Sequence, residues 1–79
     1  MDIEALRQDT PGCANRVHLN NAGASLLSRQ TLGAMTAHLE LEAAIGGYEA
    51  ADQERERIDA TYTNIAELVG GRADEVALF

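Results

Sequence analysis

An α/β fold is predicted for this chain from three observations. Two amphipathic stretches of helical period occupy its middle. A continuous apolar run, Val76-Ala77-Leu78-Phe79, follows them and reads as a buried strand of a parallel sheet. Glycine, asparagine and proline punctuate the joins between the segments.

Residues 2–9 read as a short helix, with Asp2 as its cap and the Pro11-Gly12 pair as its stop. Val17-His18-Leu19 reads as a short extended piece. Asn20, Asn21 and Gly23 then mark a turn, because Asn and Gly adopt backbone geometries that other residues resist. Ser28 is the expected N-cap of a helix over 29–45, whose apolar face is Leu32, Met35, Leu39 and Ala43. Gly33 inside it costs about 1 kcal/mol relative to Ala, a cost that close packing against a neighbour would explain. Gly46-Gly47 breaks the chain. A second helix is expected over 49–69, with Ile58, Tyr62, Ile65 and Val69 as its seam and a charged opposite face. Gly70-Gly71 ends it, and Asp74-Glu75 forms one capped turn before the apolar run. A buried strand needs neighbours on both edges, and only 17–19 offers another extended piece. The expected organisation is therefore an arm (1–27), a helical pair (28–71) and an entry strand (72–79), together the opening piece of a longer chain.

Composition narrows the function classes. Apolar residues make up 46% but aromatics only 4%, so the apolar content leans on alanine, which buries little area per contact. The net charge is −7: six arginines, no lysine and thirteen carboxylates. Such a surface repels phosphate backbones, so no nucleic-acid partner is expected. No run approaches the ~18 apolar residues of a membrane span, and the acidic start lacks the pattern of a secretory leader. No membrane partner and a cytoplasmic location are expected. The single cysteine, Cys13, excludes an internal disulfide and a cysteine-rich metal site. Without lysine, the chain cannot anchor a carbonyl cofactor through a side-chain Schiff base.

The candidate site is the run Leu19-Asn20-Asn21-Ala22-Gly23-Ala24-Ser25-Leu26-Leu27-Ser28-Arg29. Its amides donate and accept hydrogen bonds, and its small residues let a ligand approach the backbone. An asparagine-rich turn with a helix cap explains the same residues. His18 is read as structural, with a hydrogen bond near the pocket as the other reading. His38 is read as surface or packing. The two histidines lie twenty residues apart with no matching carboxylate, which argues against a metal. Cys13 is read as an ordinary loop thiol. Tyr48 and Glu49 are read as capping and packing residues, with a pocket-rim role as the alternative.

Taken in order, LNNAGASLLSR, a helix leading into Gly46-Gly47-Tyr48-Glu49, a second helix and Asp74-Glu75-Val76-Ala77-Leu78 resemble the start of the class V aminotransferases, the cysteine desulfurase-like pyridoxal-phosphate enzymes. The resemblance implies the N-terminal helical segment and first strand of a fold-type I pyridoxal-phosphate-dependent transferase, cut before the main parallel sheet. It implies that Asn21, Ala22 and Gly23 line the substrate pocket, more by backbone than by acid–base chemistry. It also implies an amino-acid substrate, a homodimer, and pyridoxal 5′-phosphate held by a lysine, an aspartate and a stacking residue outside this chain. The reaction would be that of a carbon–sulfur lyase, an epimerase or a transaminase, and the 79-residue chain would be inactive alone. The Gly46–Glu49 junction is similar to isopenicillin-epimerase-like and sulfoxide-lyase-like members, and the Asn-Pro-Ser-Ser segment of the desulfurases is missing. The desulfurase cysteine comes much later in the chain, so Cys13 does not take that role. The alternative is an acidic helical protein-interaction module without catalytic activity.

Overall fold

The computed structural model describes residues 1–79, which divide into two compact units, Met1–Glu40 and Leu41–Phe79. Four α-helices carry the chain: α1 (Ile3–Gln8), α2 (Arg29–Ile45), α3 (Gly47–Gln53) and α4 (Arg55–Val69). Two 3₁₀ turns, Pro11–Ala14 and Ala73–Glu75, complete the regular structure. The boundary between the units falls within α2.

In the first unit the Asp2 carboxylate accepts from the Ala5 amide at 3.1 Å and caps α1. Pro11 ends that helix by opening the 3₁₀ turn, where a residue without N–H costs no hydrogen bond. Ser28 Oγ accepts from the Thr31 amide at 3.1 Å, the N-cap arrangement, so α2 begins where its sequence places it. The Arg29 amide, another orphan of the first turn, donates to the Asp9 carbonyl at 2.7 Å. The Arg29 side chain donates to the Gln8 carbonyl at 3.3 Å. These two bonds tie the start of α2 to the end of α1.

In the second unit Gly46 enters α3 at φ 101°, in the left-handed region, and the Glu49 side chain folds back against it. A methyl group at Gly46 would meet both the strain and that carboxylate. Gly70 ends α4 at φ 76°, with the Gly71 amide donating to the Ala66 carbonyl at 2.9 Å. Helix α4 packs on the Ala73–Glu75 turn and on α3. Its inward face holds half-buried Tyr62 and Ile65 and buried Ala66, while Ile58 and Val69 at the ends of the expected seam stay exposed.

The expected single helix over 49–69 is two helices. Glu54, at φ −99° and ψ 13°, leaves helical geometry for one residue while amide bonds continue on either side. No proline or glycine marks this break, so local propensity gives no warning of it.

The α/β expectation is overturned: no strand forms anywhere, and the regular structure is all helical. Val76 has extended dihedrals, φ −101° and ψ 130°, but its amide turns back to the Ala73 carbonyl at 3.2 Å. Phe79 is 119% exposed, with no segment beside it. In the first unit, Val17 and Leu19 are 86% and 89% exposed and equally unpaired. Extended backbone becomes a strand only when a neighbouring segment completes the ladder. The entry strand, and with it the opening of a fold-type I architecture, is therefore absent.

Large side chains remain uncovered. The only buried apolar residues are Ala50 and Ala66. The α2 face predicted to be packed stays open, with Leu32, Met35 and Leu39 exposed by 50%, 54% and 65%. The half-buried positions of α2 are His38, Leu41 and Glu42, around the helix from that face. Nothing lies within 4 Å of a methyl group placed on Gly33, so close packing does not explain this glycine. The chain exposes 6755 Å². A folded body of this mass exposes roughly 4,700 Å², and two separate bodies of half the mass roughly 5,600 Å² together. The excess survives either comparison. No helix is long and apolar enough to cross a membrane.

Candidate functional site

The Asn20–Ala24 segment folds into a tight turn. The Asn20 carbonyl accepts from the Gly23 and Ala24 amides, both at 3.1 Å. Across the turn, His18 Nε2 lies 2.7 Å from the Ala24 carbonyl oxygen. A carbonyl only accepts, so Nε2 carries the proton and donates. His18 is thus the brace of the turn, the structural role its sequence position suggests.

Gly23 has an ordinary negative φ, so its backbone does not demand glycine. A methyl group there would sit 3.0 Å from Asn20 Nδ2, a tight contact that the Asn20 side chain would have to yield to. The glycine lets the Asn20 amide fold beneath the turn. Gly12 does the same for Leu26, whose Cδ2 would stand 2.8 Å from an added methyl. Leu26 therefore seats on the Pro11–Ala14 turn and closes the loop 12–26 upon itself.

A half-open cavity of about 600 Å³ lies within the first unit. Its wall includes Arg7 from α1, Cys13 from the 3₁₀ turn, Arg16 and His18 from the extended piece, Asn21 from the turn, and Leu26. That volume falls in the range of small-molecule sites. Of the three residues assigned to a substrate pocket, Asn21 lies on this wall; Ala22 and Gly23 do not. Sequence reasoning missed Arg7 and Arg16. The clue available to it was charge balance: residues 1–40 hold four carboxylates against three arginines, residues 41–79 nine against three.

The arginines differ in their engagements. Arg55 meets Asp52 at 2.6 Å, Arg57 meets Glu54 at 3.4 Å, and Arg72 meets Asp74 at 3.1 Å and Glu75 at 3.3 Å. The hydrogen bond to Asp52, with the attraction of Asp52 and then Asp59, pushes the Arg55 guanidinium up from its ordinary value. That moves its loss of charge further into the alkaline range, so the contribution of the guanidinium is present through neutral pH and is lost as pH rises past that point. Arg7 and Arg16 make no side-chain hydrogen bond or ion pair.

The remaining candidates fall elsewhere. Tyr48 is exposed and the Glu49 side chain folds back toward Gly46, both in the second unit. Cys13 is a free, half-buried thiol. No three His, Cys, Asp or Glu side chains gather as metal ligands. The residues do not fit a resident pyridoxal phosphate: the chain has no lysine to hold it. No family of known proteins, no curated protein and no solved structure matches the chain.

Proposed function

We propose that this chain is the substrate-side segment of a pyridoxal-phosphate-dependent enzyme of the class V aminotransferase type, acting on an amino acid and inactive by itself. The observation that carries the reading is the position of Asn21. The asparagine-rich turn, braced by His18, presents this residue to a cavity of ligand size. In this reading the chain orients substrate through Asn21 and the turn backbone, and excludes water with Leu26. The cofactor would be held by residues other than these and would itself supply the electron sink. A cytoplasmic homodimer is the expected setting.

The test is the open reading frame that encodes these residues. It is expected to continue past Phe79 into a small-residue phosphate loop and a later lysine. A frame that closes without either one contradicts the proposal.

A second reading has its own observation: the open apolar face of α2 at Leu32, Met35 and Leu39. An acidic helical module that docks on a protein partner would use such a face. Circular dichroism separates the two readings. Cooperative melting with full helicity in the 79-residue chain favours the module, and a largely unfolded chain favours the enzyme segment.

A further inference from the structure

We infer that the cavity of the first unit is a binding site for a small organic oxyanion, a carboxylate or phosphate on a short carbon body, held by Arg7, Arg16 and Asn21. The inference goes beyond the enzyme assignment and stands without it.

Three observations lead to it. The cavity wall contains no aspartate or glutamate, although the chain carries thirteen carboxylates and a net charge of −7. The two arginines that engage no partner in the molecule both lie on that wall. The Asn21 side chain, also on the wall, makes no hydrogen bond either. Arg7, Arg16 and Asn21 are exposed, and two unengaged guanidinium groups and an amide on one half-open concavity free of carboxylates form the donor set that oxyanions select. Val17 and Leu26 supply the apolar part of the wall, which suits a ligand with a carbon body. An anion is also drawn to this unit over the other, where carboxylates outnumber arginines three to one.

The experiment is a titration of the protein as its reading frame encodes it, labelled with ¹⁵N, at constant ionic strength. One arm uses succinate and the other inorganic phosphate. Saturable shifts of the amides between Cys13 and Asn21 are expected in at least one arm, and the arm that saturates at lower concentration identifies the anion. Arg7→Gln and Arg16→Gln are each expected to weaken binding about tenfold, and Arg72→Gln, on the other unit, to leave it unchanged. Arg7→Lys and Arg16→Lys keep the charge and are expected to fall between parent and Gln variants. Shifts that never saturate in either arm overturn the inference. So does binding that survives in R7Q/R16Q, or equal binding by the Lys and Gln variants.

Discussion

His18 donates from Nε2 to the Ala24 carbonyl at 2.7 Å, joining the extended piece to the far side of the Asn20–Ala24 turn. This bond spans six residues and fixes the loop that carries Asn21. Removing it is expected to loosen the loop without disturbing the helices. In His18→Ala, a hydrogen bond worth about 1 kcal/mol is lost. Amide exchange at Gly23 and Ala24 is expected to rise several-fold, with helical circular dichroism unchanged. Unchanged exchange at those two amides contradicts the brace.

Ser28 and Thr31 give a second test. Ser28 Oγ accepts from the Thr31 amide at 3.1 Å and also donates to the Thr31 hydroxyl at 3.0 Å. Ser28→Ala is expected to cost about 1 kcal/mol of α2 stability, seen as reduced helicity at 222 nm (roughly the helix minimum), and Ser28→Asp to retain most of it. Equal helicity in all three chains argues against the cap.

Two glycines are expected to respond with opposite sign. Gly70 ends α4 in the left-handed region, so Gly70→Ala is expected to destabilise by about 1 kcal/mol. Gly33 lies mid-helix with open space around it, so Gly33→Ala is expected to stabilise by up to about 1 kcal/mol. Thermal melts of the two variants check both. A destabilising Gly33→Ala reveals a neighbour on that face.

What was legible in the sequence was local. Asp2 and Ser28 cap because their oxygens reach amides three residues on, and Gly70 stops α4 because it tolerates a positive φ. Such relations are written within one turn of chain. The Val76–Phe79 run forms no strand: a continuous apolar run says nothing about whether a partner edge is present. The α2 seam was misread for the same kind of reason: Leu32, Met35 and Leu39 mark a face suited to burial, not one that is covered. The turn at Asn20–Ala24 was legible, and Asn21 is on the cavity wall. Arg7 and Arg16 were not, because nine residues separate them and only folding of the loop brings them to one cavity.

The placement of Asn21 carries the functional account, and one measurement bears on it most directly. On the proposed reading, the protein that the reading frame encodes is compared with its Asn21→Ala variant for kcat/KM on an amino acid and for pyridoxal-phosphate content by absorbance. The account expects kcat/KM to fall about tenfold or more with cofactor content unchanged. Loss of cofactor with unchanged turnover per bound cofactor contradicts it.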